Sequence, residues 1–360
     1  MQFTRIITES VTSSFGSTRY FFELILAGKI DVLDNEPLYE DPPQTAKPFK
    51  PHYLQYIFPH IKTFEQDRIA ALGELKSRGY IALPIGLAII AAAAFALSSF
   101  TLSEGLVKTV FYGSIAAIAG LCWWTSRPVK KYKSSVKSII FPNVFSFFGD
   151  DFKYSEQSLL TVHALQPSGL IPSYDNEYTE DYIRGSYEGV GIRLMEAKMT
   201  ETRGSGKSRR TVTVFKGIFI LLDMNKNFSG KTILKKDAGK IGNWFTDKFN
   251  KLENVALEDP VFEKQFEVYS NDQVEARYLL TTSFMERLLK LSDLLGSSGI
   301  QCSFYDDKLL LMVPSSYNRF ETSSIYVPAT FVGDINTILS EMKIIFEIID
   351  ILKLNQRIGL

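Results

Sequence analysis

Apolar and polar positions change their period several times along this chain, and each change marks an element. From Ile81 to Phe100 the sequence IALPIGLAIIAAAAFALSSF carries no charge. At 1.5 Å per residue a run of about twenty residues spans roughly 30 Å, the thickness of a bilayer's hydrocarbon core. A second run, TVFYGSIAAIAGLCWW over 109–124, is shorter, and only TLSEGLVK separates the two. So short a link predicts an antiparallel hairpin of two transmembrane helices within 80–126. Pro84 and Gly86 are tolerated in a lipid-embedded helix more readily than in water. Ala91–Ala94, Gly113 and Gly120 offer small faces for close helix approach.

Ahead of the hairpin the period is helical. Ile57, Ile61, Phe64, Leu72 and Leu75 form an imperfect apolar stripe, which predicts an amphipathic helix over 49–79 leading into the first span. Residues 1–48 read as an N-terminal extension: FFELILAGKI as a short helix, then the acidic, Pro-containing DVLDNEPLYEDPP as a linker. The opening residues lack the basic start and continuous apolar core of a cleavable signal peptide. After the hairpin, 127–149 reads as a basic juxtamembrane segment. It ends in the apolar IIFPNVFSFF, which is expected to pack on the pre-membrane helix.

The soluble domain is expected over 150–360. Ile183–Met199 and Thr211–Met224 are strand-like, rich in β-branched and aromatic residues. Shorter strands are predicted at Lys231–Leu234, after the turn NFSG, and at Asn254–Leu257 and Lys264–Tyr269. Two more, Ile300–Tyr305 and Lys308–Val313, are joined by Asp306-Asp307 as a tight hairpin. Asn271 or Asp272 can cap a helix over QVEARYLL. Ser283 and Glu286 make a capping box for MERLLKLSDLLG, with Gly296 past its end. A closing helix from Val332 to Lys353 repeats Ile335, Ile338, Leu339, Met342, Ile345, Phe346, Ile349 and Leu352 at helical spacing. Its charges, among them Glu341, Lys343 and Glu347, exclude a third span. The order of elements predicts an α+β domain with a largely antiparallel sheet and a long C-terminal helix, carried on a two-helix transmembrane hairpin.

Charge adds orientation. Lys+Arg and Asp+Glu both number 40, so net charge points to no nucleic-acid partner and electrostatics must act locally. Lys76 and Arg78 precede the first span, and Arg127, Lys130, Lys131, Lys133 and Lys137 follow the second. The connecting loop has only Glu104 and Lys108. The positive-inside rule then puts both termini in the cytoplasm. Arg78, Lys108, Trp123, Trp124, Arg127, Lys130 and Lys131 are the expected anchors at the bilayer interface, where lysines snorkel and tryptophans form a belt. The basic stretch RPVKKYKSSVK can also meet anionic headgroups.

Candidate chemistry is sparse. Two cysteines, Cys122 and Cys302, and three dispersed histidines, His52, His60 and His163, support neither a disulfide framework nor a zinc site. The string RGSGKSRR contains the end of a phosphate-binding loop, but Glu201 stands where the first glycine is needed and the string lies between two strands. It reads as a basic β-hairpin tip in which Lys207, Arg209 and Arg210 can contact a partner or acidic lipid. The densest mixture of charge and aromatics is LEDPVFEKQFEVYSNDQVEARYLL. It offers Glu258, Asp259, Asp272, Glu275 and Arg277 as a polar cluster for acid–base or metal chemistry. The competing reading makes Asp272 a helix cap, Glu275 a first-turn anion and Arg277 an ion-pair partner. No nucleophile–base set stands out, no catalytic residue is assigned, and no metal or cofactor is expected.

The strings FKG (Phe215–Gly217), LEDPVFEKQFEVYS and DQVEARYLL resemble a bacterial membrane family catalogued as domain of unknown function, family number 3137. The resemblance runs over roughly Pro51–Phe320 and implies the hairpin topology and a bacterial inner membrane. It brings no reaction and no catalytic residue. The expectation is a membrane-anchored, non-enzymatic binding or scaffolding module, with lipid, a protein or a second copy of the chain as partner. A hydrolase using Asp259, Asp272 and Glu275, with or without a divalent ion, and a transport or channel accessory subunit are the competing classes.

Overall fold

The computed structural model describes residues 32–33, 39–41, 47–99, 103–236, 252–257, 259–295, 300–352 and 354. Most of the extension 1–48, together with Glu258, Gly296 and Lys353, lies outside them. The chain divides into two compact units, one comprising 1–140 with 322–333, the other 141–321 with 334–360.

The first unit is built on two long helices, α1 (Lys50–Ser99) and α2 (Glu104–Phe145). Both are long and apolar enough to cross a membrane, and their most apolar stretches of eighteen residues contain no buried residue. A core helix of a soluble protein is mostly buried, so that explanation of the apolar runs fails here. The helices are also longer than the runs predicted. Residues 127–145, expected as a separate segment, continue α2 without a break.

The lower half of α1 is different. Ile61, Phe64, Ala71, Leu72 and Leu75 are buried along one stripe, as the periodicity implied, with Glu65 and Arg68 buried in its gap. Phe64 meets Tyr132 of α2 and Phe331 edge-on, at ring separations of 6.3 and 5.5 Å. A π-helical turn, Tyr53–Ile57, interrupts the first part of α1. There Tyr53 stacks on Tyr39 and its hydroxyl donates to the carbonyl of Thr330 at 3.1 Å.

The second unit is an α+β domain. Its strands are β1 (Lys153–Ser155), β2 (Asn176–Tyr187), β3 (Val190–Arg203), β4 (Arg210–Lys236), β5 (Glu253–Asn254), β6 (Phe266–Ser270) and β7 (Gln301–Pro314). Among the described residues these form one sheet in the order β1-β2-β3-β4-β6-β5, with β7 also on β4, and every pairing is antiparallel. The helices are α3 (Pro260–Glu263), α4 (Gln273–Leu279), α5 (Thr282–Leu294) and α6 (Val332–Leu352).

Three strand predictions are corrected. The single strand over Ile183–Met199 is a hairpin, because Glu188 and Gly189 both take positive φ (49° and 82°) and close a two-residue turn between Tyr187 and Val190. The separate strands Thr211–Met224 and Lys231–Leu234 are parts of the long β4. The hairpin at Asp306-Asp307 is absent: both halves of β7 pair with β4. Asp306 instead takes φ 51° within a continuous strand, opposite a bulged stretch of β4 where the register shifts between Asp223 and Phe228 and again before Thr232. A bulge absorbs the polar residues without ending the ladder.

The helix caps follow side-chain chemistry. Asp272 accepts from the amides of Val274 and Glu275 and starts α4. The cap of α5 is Thr281, not Ser283: its side chain accepts from the Phe284 amide, two residues earlier than the capping box required. One face of the sheet carries Met195, Ala197, Met199, Phe219, Leu310 and Met312, closed over by Val162, Leu165 and Leu170. Ser303 on β7 donates to the carbonyl of Ser168 at 2.7 Å and fixes that cover.

Candidate functional site

Charged residues flank the apolar stretches of α1 and α2. Arg78 donates to the Trp124 carbonyl at 2.8 Å, lies over its ring at 5.2 Å, and pairs with Glu74. Arg127 covers the Trp123 ring at 4.7 Å. Cations stacked on indoles keep their apolar stems covered and their charge at the end of the apolar run. Lys108 pairs with Glu104 at 2.5 Å one turn away, and Lys130 and Lys131 are exposed on α2.

Lower on α1 stands a buried ion pair that the sequence reading missed. The guanidinium of Arg68 donates to both carboxylate oxygens of Glu65, at 2.9 and 2.7 Å, and to the carbonyl of Ile325 at 3.0 Å. Glu65 also accepts from the amides of Ala329 and Leu33. Burial pushes the Glu65 carboxyl up, but Arg68 and these amides outweigh it and hold it below the usual carboxylate range. The pair clamps the segment 322–333 onto the helix. The gap in the apolar stripe between Phe64 and Ala71 was its visible signal.

Of the predicted polar cluster, Asp259, Asp272 and Glu275 are each engaged by backbone amides, and Glu258 lies outside the described residues. Asp259 accepts from Val261 and Phe262 at the start of α3, and Asp272 caps α4. Glu275 accepts from Ser229 and Gly230 at 3.0 and 2.7 Å, while Asn271 accepts from Lys231 at 2.6 Å. Those donors belong to the bulge of β4, so this helix start holds the bulge in shape. Gly230 is required there, because a Cβ would come within 2.7 Å of the Asp272 side chain. Arg277 is exposed in the last turn of α4. The tip Gly204–Arg209 joins β3 to β4 as expected, with Lys207 in a short 3-10 turn and Arg209 and Arg210 exposed.

The carboxylates that do converge are others. Glu180, Asp181 and Glu196 bring one oxygen each within 4.8 Å of one another. Among the described residues they are the group placed to share a cation. The sheet register creates the cluster. Glu180 and Glu196 are direct cross-strand partners of β2 and β3, and a bulge after Glu180 turns Asp181 inward at φ 52°. Tyr154 donates its hydroxyl to Asp181, and burial together with that carboxylate pushes the phenol's pKa upward. Glu196 accepts from the amides of Arg319 and Phe320 at 2.5 and 3.2 Å. Burial pushes its carboxyl up to about 8; the two amides oppose this, and Asp181 and Glu180 reinforce it. The neutral acid is therefore the favoured form below that pH. Glu180 is held by Asn318 at 2.6 Å.

Beside these carboxylates lies a cleft of about 170 Å³ that also takes in Lys198 and Lys216. Those lysines are direct partners across β3 and β4. Sequence reasoning missed this site because its members lie far apart along the chain and meet only through strand register.

Fold and site together define the class: an α+β domain carried on a pair of long, exposed apolar helices. Residues 213–354 match the family described as Protein of unknown function (DUF3137). The match begins in β4 and takes in α6. It thus reaches past Phe320, where the sequence resemblance was expected to end, and does not extend over α1 and α2. No curated protein matches the sequence. Among solved structures, the crystal structure of the mycobacterial trehalose monomycolate transport factor A, TtfA, is similar over 56% of this chain and 88% of that one, at 11% identity and a TM-score of 0.31. A likeness of that size bears on neither fold nor function.

Proposed function

We propose that this chain is an integral protein of a bacterial inner membrane, in which the hairpin of α1 and α2 holds the α+β domain on the cytoplasmic side as a non-enzymatic binding or scaffolding module. The observation that carries the reading is the unburied state of both apolar stretches, with the arginine–tryptophan stacks at one end. In water, two such faces would be an aggregation hazard; in lipid they are satisfied. Lys76, Arg78, Arg127, Lys130 and Lys131 favour the cytoplasmic side for the end that leads to the domain. The engagement of Asp259, Asp272 and Glu275 by backbone amides supports a binding role over hydrolysis.

Labelling with a membrane-impermeant maleimide tests the topology. Cys302 is buried, and its thiol is pushed up to about 12. It therefore contributes little background, and Cys122 is replaced by Ser. In intact spheroplasts Gly105→Cys is expected to label, whereas Arg209→Cys labels only after permeabilisation. The reverse pattern would sink the orientation.

A further inference from the structure

The sheet face that bears Glu196 carries a pair of lysines beside a pair of carboxyl groups. Lys198 faces Lys216 directly across β3 and β4, with Tyr178 on the other flank of Lys198. Two residues along β3, Glu196 faces Glu180. Like charges directly opposite on neighbouring strands destabilise a sheet. The lysine pair is such a pair, and the carboxyl pair lies about 6.6 Å from it at the strand rise of about 3.3 Å per residue. All four side chains line the same cleft of about 170 Å³.

The polar atoms of these pairs are only partly engaged. Lys198 makes no hydrogen bond or ion pair among the described residues, and no ion pair links either lysine to Glu180 or Glu196. Lys216 donates to the carbonyl of Ser316 at 3.0 Å, which steadies its stem and leaves two N–H groups for a ligand. On the acidic side, Asn318 fixes the Glu180 carboxylate.

We propose that this cleft binds a short zwitterion, a phosphate and an ammonium a few bonds apart, with the phosphate on Lys198 and Lys216 and the ammonium on Glu180 and Glu196. Two ammonium groups match the charge of about −1.5 to −2 on a phosphate monoester better than that of a carboxylate. Three N–H donors on the ligand's ammonium match the acceptor oxygens of the glutamates. The space holds several waters, hence a ligand of fewer than about ten heavy atoms. The same chemistry occurs in free phosphoethanolamine and in a phosphodiester lipid headgroup. The inference rests on the binding half of the proposed function and is independent of the membrane anchor.

Isothermal titration of the full chain in nonionic detergent with O-phosphoethanolamine tests it. Saturable binding is expected, with ethanolamine alone and inorganic phosphate alone each weaker by about tenfold or more, since each lacks one set of charge-assisted bonds. Lys198→Gln and Glu180→Gln, neither of which is fully buried, should each weaken binding by about tenfold while the melting temperature stays near wild type. Glycerophosphoethanolamine separates the sources. Tighter binding of the monoester points to a free metabolite, and tighter binding of the diester to a lipid headgroup. Absence of saturable binding, equal binding of phosphate alone, or wild-type affinity in both variants would overturn the proposal. Membrane extraction of the same chain reports on the anchor separately.

Discussion

Glu196 shows how strand register makes chemistry that residue type alone does not announce. Buried and opposite Glu180, it has a carboxyl pushed up to about 8, against about 4.5 in an unfolded chain. Between those values the folded protein holds more protons than the unfolded one. Stability from this group therefore falls as pH rises from about 4.5 to 8, by at most about 1.4 kcal/mol per unit. Glu196→Gln keeps an acceptor for the Arg319 amide and removes the titration. Its melting temperature is expected to vary less between pH 5 and 8 than that of wild type, with a gain of about 1–3 kcal/mol at pH 8. An unchanged pH profile would contradict the neutral acid. At Glu65 and Arg68 the sign is opposite, because truncating one partner leaves the other charge buried. Arg68→Ala is expected to cost about 3–5 kcal/mol, and Glu65→Gln combined with Arg68→Met less than Arg68→Ala alone. Thermal melts of the three chains in detergent measure the difference.

At the scale of elements, what the sequence made legible was whatever local periodicity encodes. The stripe Ile57–Leu75, the closing helix with Ile335, Ile338, Met342 and Ile345 inward, and the Asp272 cap all depend on neighbours in sequence, and all stand in the structure. The errors lie where pairing decides. Asp306-Asp307 carries a turn signal, yet β4 supplies a partner for both halves of β7 and the ladder continues through it. Glu188-Gly189 lacks the usual Asn or Asp and so carries a weak turn signal, although its glycine permits the turn. Asp306 in the left-handed region is then a specific liability. Asp306→Gly should be neutral or mildly stabilising, whereas Asp306→Val should lose about 1–2 kcal/mol because β-branching disfavours that conformation. Chemical denaturation of both variants checks it; equal stability would mean that the bend does not persist in solution.

For the whole molecule, two helices of one class of surface carry a domain of another. From residue 80 onward α1 continues through about 30 Å of helix without a buried residue, after a lower half whose stripe is well packed. Neither apolar run contains Asp, Glu, Lys, Arg or His, the residues that usually mark an ion or proton path through a bilayer. The most direct test of the hairpin is extraction of membranes with alkaline carbonate, comparing the full chain with one in which residues 80–126 are replaced by a Gly/Ser linker. The expected result is full-length protein retained in the pellet and released only by detergent, with the linker variant in the supernatant. Release of the full-length chain by carbonate alone would contradict the membrane anchor.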